Sequence, residues 1–409
     1  MKPTTCLLFG LLPLAACSDR KLSLCDITDS TCQQDIYYAD LHVRGDGYDP
    51  FGGMPPIRTI TEADFRAELE SQVASTPATD PQPWWDVALK LLHFIPDRDV
   101  TSTSIDDQVT NVAAYYSNDT KSVTVVAHPI DPTKDTANAQ LNRKLDDVST
   151  LAHELIHALQ DREFDFRKKA EGGTDGDFAQ TALIEGDASL YEDLVRREID
   201  LAGFTLRDAD SLAYFTRYRD SMLEKFDTLG APLFAAHWLV YPLGGVWLAD
   251  KWKTGGNAAV RRSYGNPPQR SLDLLLGPNV ASPAEVPIDC FPTSPGSAFL
   301  RGGRTYGLDT FGAMEFYAYL SAWNVSGADR LTAATQWRND YMFVYYNPDT
   351  KKTAVAWHIE LASPLPAPVL TAITTTDGPR VVATGNSLMI TASDDAGLMA
   401  TWNPSASCP

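Results

Sequence analysis

At 409 residues, 44% of them hydrophobic, the chain can bury a large core as one big domain or two. A formal net charge of −19 at pH 7 argues against a nucleic-acid partner and against an electrostatic hold on anionic membranes. No Walker, G-x-S-x-G or dinucleotide fingerprint is present, and no repeat shows at solenoid periods.

The first seventeen residues read as a lipoprotein signal. Lys2 gives a charged start, residues 7–14 an apolar stretch, and Leu14-Ala15-Ala16-Cys17 a small-residue cleavage site ending in cysteine. The apolar stretch is too short to span a bilayer. Cleavage before Cys17 and acylation of that residue would hold the mature chain at the bacterial cell envelope by its lipid. Four cysteines then remain, Cys25, Cys32, Cys290 and Cys408. An even remainder in an exported chain suggests two disulfides, with three connectivities open. Cys25 with Cys32, close in sequence, and Cys290 with Cys408, tying down the C-terminus, is the favoured arrangement.

Residues 18–60 are polar and rich in Gly and Asp, which suggests a tether plus an entry strand leading into the domain. Arg44-Gly45-Asp46 within it reads as a turn. Residues 61–75 and 84–93 read as helices split by a Pro-rich turn, with His93 expected to be a packed core histidine. Residues 109–128 change to β-branched and aromatic alternation around S-N-D-T-K, which is a hairpin, with His128 at its end favoured as a solvated loop histidine over a further ligand.

The pattern His153-Glu154-x-x-His157 follows, on a helix whose apolar stripe is Leu145, Val148, Leu151, Leu155, Ile156 and Leu159. Four residues along a helix is about 400°, so both imidazoles share one face and can meet a single zinc ion. Glu154 is rotated by about 100° from the first imidazole, beside the metal position, where a carboxylate can act as general base. The helix does not continue as H-x-x-G-x-x-H, because Gln160 and Glu163 stand where that pattern needs Gly and His. The third ligand is then expected from residues 178–197, where Glu185 sits in an apolar helical stretch and needs a partner if buried. Asp187 is the alternative carboxylate.

H-E-L-I-H followed by I-E-G-D-A resembles the gluzincins, zinc peptidases whose third ligand is a glutamate. H-A-L-Q-D at 157–161 with L-I-E-G-D-A is similar to a group of bacterial lipoprotein gluzincins. The resemblance implies His153, His157 and Glu185 as zinc ligands, Glu154 as base, and a strand before the metal helix whose open edge pairs with the substrate backbone. The gap from His157 to Glu185 is longer than in thermolysin-like enzymes, and 171–177 is the expected extra loop.

Residues 208–228 read as a third helical region. Next, 231–249 is a stretch with no formal charge, broken by His237, Pro242, Gly244 and Gly245, and reads as one buried helix beside the metal. Tyr241-Pro-Leu-Gly244 resembles the Tyr-x-x-Gly helix of zinc aminopeptidases, which implies Tyr241 as oxyanion donor. His237, one turn earlier, is a second candidate. Gly312-Ala313-Met314-Glu315 lies in a stretch that reads as a helix, far from where those enzymes carry their substrate clamp, so an exopeptidase signature is missing. Residues 326–360 suggest a helix and two strands, and 361–409 a β-rich tail.

The expected fold is α+β: a mostly helical zincin-like domain at 61–360, with a small sheet beside the metal helix. The expected function is an exported, lipid-anchored, monomeric Zn2+ endopeptidase acting on a peptide or protein substrate. The alternative is a zinc-stabilised envelope lipoprotein that binds a partner without turnover.

Overall fold

The structure is a computed structural model and describes residues 22–46, 52–75, 83–96, 105–106, 108–110, 112–128, 136–164, 172–199, 210–288, 294–295, 299, 305–374 and 378–402. The leader with Cys17, together with Cys290 and Cys408, lies outside these residues. In chain order the elements are α1 (Ser30–Val43), β1 (Ile57–Thr61), α2 (Glu62–Ser75), α3 (Pro83–Leu91), β2 (Ala114–Ser117), β3 (Ser122–Ala127), α4 (Ala137–Phe164), α5 (Gly173–Glu198), α6 (Ser211–Glu224), α7 (Pro232–Trp238) and α8 (Val240–Ser263). Then come α9 (Ser271–Leu276), β4 (Thr305–Asp309), α10 (Gly312–Ser321), α11 (Gly327–Ala334), β5 (Trp337–Asn347), β6 (Lys352–Leu361), α12 (Ala367–Thr374), β7 (Arg380–Thr384), β8 (Ser387–Ser393) and α13 (Ala396–Thr401). The fold class is α+β, as the sequence indicates.

Helix α4 is enclosed on every face along its C-terminal half. From Leu151 to Asp161 all side chains except that of Glu154 are buried. A helix apolar or buried all round must be surrounded by other elements. Here α1, α5 and a three-stranded sheet provide the cover, and Leu151, Leu155 and Ile156 pack with Ile36, Leu41, Val123, Val125 and Leu190. The sheet has the order β1-β3-β2, with β1 parallel and β2 antiparallel to β3. That order leaves β2 as the edge strand lying against α4.

A second core lies between α3, α7, α10 and the inner face of a five-stranded antiparallel sheet of order β4-β5-β6-β8-β7. Helices α5 and α8 belong to both cores: Phe178, Ala182 and Leu243 face this one, whereas Leu183, Leu190 and Val246 face that of α4. The two helices touch through glycine. A Cβ on Gly244 would sit 1.7 Å from the Ala182 carbonyl oxygen, and one on Gly186 would sit 2.2 Å from the Gly244 carbonyl carbon. The glycines of E-G-x-A and Y-x-x-G are therefore each other's packing partners.

Several expectations change. Residues 22–46 are no tether: α1 is capped by Asp29, stapled by the Cys25–Cys32 disulfide and buried through Ile36, Tyr37 and Leu41 against the α4 core. The α5 helix begins at Gly173, after Gly172 with φ of 100°, so most of the expected 171–177 loop is helical. The expected single helix at 231–249 is two, α7 and α8, separated at Leu239. Strands β7 and β8 from the tail complete the sheet of β5 and β6, since the inner edge of β6 would otherwise stay unpaired. His93 is exposed rather than core, at a φ of 62°, with its ring 4.7 Å from that of Trp323.

Candidate metal centre

Helical spacing puts His153 and His157 one turn apart on α4, with ring centroids 4.6 Å apart and planes at 83°. Glu185 of α5 faces both. Its Oε2 lies 3.1 Å from His153 Nε2 and 3.4 Å from His157 Nε2. The ligand atoms of a tetrahedral ion held at 2.0–2.1 Å stand about 3.3 Å apart, so these separations suit three corners of one such ion. His153, Glu154 and His157 also form a group that could hold a metal ion, with ligand-type atoms within 4.8 Å of one another.

The outer partners decide which nitrogen each ring presents. Gln160 Nε2 donates to Ile184 O (3.0 Å) and to Asp187 Oδ2 (2.8 Å), so its carbonyl oxygen must face His157 Nδ1, at 2.8 Å. An acceptor there requires the proton on Nδ1. His153 Nδ1 faces the Glu192 carboxylate at 3.1 Å, which makes the same demand. In the neutral rings both Nε2 lone pairs then point at the Glu185 carboxylate, and three electron-rich atoms converge with no donor among them. A metal ion resolves that arrangement.

Protons resolve it otherwise. Burial works against charge on His153, yet Glu185, Glu192 and Glu154 overcome it and raise its pKa well above that of a free imidazole. His157 is raised as well, with burial again opposing and Glu185 the largest favourable influence. Burial also opposes the charge of Glu185, but His157 and His153 outweigh it and hold the carboxyl well below the usual range. Two neighbouring imidazoliums in one buried cluster repel, and one divalent cation would replace both protons.

Glu154 is set apart from the cluster's ligands. Its Oε2 accepts from the backbone N–H of Tyr116 on β2 at 2.7 Å, which leaves Oε1 for other work. Burial raises its pKa above the ordinary carboxylate value, with the two imidazoles pulling the other way. Strand β2 is pinned to α4 a second time, because Tyr116 OH donates to Asp161 Oδ2 at 2.7 Å and Lys121 Nζ pairs with the same oxygen at 2.5 Å. Across the cluster, the half-buried Tyr241 ring lies 6.0 Å from that of His153 and 6.0 Å from that of Trp238. Burial, then the charges of Glu185 and Glu154, raise the Tyr241 hydroxyl pKa, so it stays a neutral donor.

The structure therefore gathers His153, Glu154, His157, Glu185 and Tyr241. His237 is exposed on α7, whereas Tyr241 is half-buried against His153. Asp187 points away from the imidazoles, fully buried among Gln160, Tyr264 and Arg44. His128 is not the solvated histidine expected: its ring is largely buried and bridges Glu62 Oε1 at 2.6 Å and the Val112 carbonyl at 2.9 Å. Sequence reasoning missed Glu192 and Gln160, although both carry a helical signal: seven residues beyond Glu185 and three beyond His157. The part of Arg44, which follows the end of α1 far away in the chain, carries no such signal. No family model matches the chain, and neither a curated protein nor a solved structure matches it.

Proposed function

We propose that the protein is a zinc-dependent peptidase of gluzincin type, exported and lipid-anchored. The observation that carries this is one carboxylate oxygen of Glu185 facing the Nε2 atoms of both His153 and His157. Two imidazoles and a carboxylate are the donor set of hydrolytic zinc sites, whereas structural sites close the shell with a fourth protein ligand. Side-chain exposure of 20% at Glu185 keeps this cluster reachable from solvent, which favours turnover over a purely structural ion. The Cys25–Cys32 disulfide accords with an exported chain.

His153, His157 and Glu185 would hold the ion. Zinc, when bound, supplies Lewis acidity, acidifying a water and polarising a carbonyl. Glu154 Oε1 takes the proton of the attacking water, while the Tyr116 N–H holds the other carboxylate oxygen. The proton then passes from Oε1 to the nitrogen of the leaving amine. The Tyr241 hydroxyl donates to the oxygen that gains charge, typically worth about 3–4 kcal/mol. An extended substrate backbone would pair with the edge of β2 beside Glu154, through edge groups other than the Tyr116 N–H that Glu154 holds.

The test is Glu154→Gln. This variant should bind zinc as the wild type does and lose at least ~100-fold in hydrolysis of a peptide library. Equal turnover by the two proteins would refute the mechanism.

A further inference from the structure

We infer that Arg44, carried on the N-terminal side of the fold, is a positioning residue for the metal site and acts on His157 through Asp187 and Gln160. The inference rests on reading His157 as a metal ligand. The Gln160 amide has two orientations. With its oxygen towards His157, the ring carries its proton on Nδ1 and offers Nε2 as a lone pair. With its NH2 group there instead, Nδ1 must accept, Nε2 carries the proton, and the ring cannot ligate. The amide's surroundings make that choice.

Asp187 Oδ2 receives Gln160 Nε2 at 2.8 Å, and a carboxylate can only accept. Asp187 is fully buried, and a carboxylate there needs a cation and donors to remain in place. Arg44, 1% exposed, supplies the cation: Nη1 lies 3.5 Å from Asp187 Oδ2, and Tyr264 OH adds a donor at 2.8 Å. The guanidinium is itself held from other sides. Its Nη2 pairs with Glu163 Oε2 at 3.0 Å, and its carbon lies 4.8 Å from the centre of the Tyr191 ring. Without the guanidinium, Asp187 would be a buried charge with no cation, held only by Gln160 Nε2 and Tyr264 OH. Were it to shift, the Ile184 carbonyl, 3.0 Å from Gln160 Nε2, would be the amide's remaining acceptor, and the hold on the orientation that faces His157 would weaken. A residue 143 positions before Asp187 in the chain thereby governs the face that His157 offers.

The experiment measures the zinc dissociation constant of the full chain by competition with a chromophoric chelator, alongside thermal melts of the metal-free proteins. Arg44→Met and Gln160→Leu should each weaken zinc binding 10–100-fold. The double variant should bind no more weakly than the worse single, because removing the amide disconnects Arg44 from the metal site. Arg44→Lys, which keeps a charge but not the fork, should recover part of the loss. If Arg44→Met does not fold, Tyr264→Phe takes its place, with a smaller loss that again vanishes in the Gln160→Leu background. A folded Arg44→Met that binds zinc within about threefold of wild type overturns the inference, as does a double variant whose loss is the product of the singles. A wild-type chain that binds no zinc, or binds it unchanged after His153→Ala, overturns the metal reading as well.

Discussion

Substituting Gly244 by alanine tests how α5 and α8 set the site. The added Cβ would lie 1.7 Å from the Ala182 carbonyl oxygen and 2.7 Å from its carbonyl carbon, where ordinary contact needs about 3.2 Å or more. These are backbone atoms, so no rotamer change relieves the overlap, and the helices must part by about 1.5 Å at this point. Overpacking of this kind costs about 3 kcal/mol, and the better helix propensity of Ala returns about 1 kcal/mol, leaving a net loss of about 2 kcal/mol. Urea unfolding of the metal-free variant measures that loss. The same displacement moves Tyr241, one turn before Gly244, away from Glu185, whose neighbour Gly186 is the facing contact. Hydrolysis should therefore fall at least about tenfold. Zinc affinity should change little, since His153, His157 and Glu185 all lie on α4 and α5. A variant with stability within about 0.5 kcal/mol of wild type and unchanged turnover would refute the packing argument.

Glu192→Ala removes the acceptor of His153 Nδ1 and should weaken zinc binding 10–100-fold in chelator competition. The metal-free protein should melt at lower temperature at pH 8 than at pH 5. Burial pushes the Asp175 carboxyl up to about 7 and that of Asp340 up to about 6, whereas both titrate near 3.9 when unfolded. Between those values the native state binds more protons, so the stabilisation present at low pH is lost as pH rises through about 6–7. For Asp340 the full loss amounts to about 3 kcal/mol, of which about 1.4 kcal/mol falls between pH 5 and pH 8. Calorimetry on chelator-treated protein showing a melting temperature that climbs with pH would contradict it. Serine at Cys25 opens the loop to Cys32 and should lower stability by about 2–3 kcal/mol in urea.

Much of the site could be read without coordinates because it is helical. His153, Glu154 and His157 lie within one and a half turns of α4, where spacing alone fixes which side chains share a face. Glu185 was within reach for a related reason: a carboxylate among Leu183, Ile184 and Ala188 has to find a partner. Hairpin β2–β3 was equally local, its alternation and turn residues being contiguous. The split between α7 and α8 escaped because an uncharged run has no polar face to mark where a helix stops. The burial of α1 escaped because its sequence is polar, and its worth lies in Asp29, the Cys25–Cys32 disulfide and Arg44.

By itself, then, the sequence determined the identity and order of the groups on each helix, since a 3.6-residue period turns spacing into geometry without reference to any other part of the chain. Only the tertiary structure decided the rest. It chose which nitrogen each histidine presents, which carboxylate, Glu185 or Asp187, turns inward, and how closely Tyr241 approaches. Those choices depend on Gln160, Glu192, Arg44 and the Gly186–Gly244 contact, groups on separate helices brought together by burial. Hydrogen bonds and steric contact act over a few ångströms of space, and no one-dimensional period encodes them.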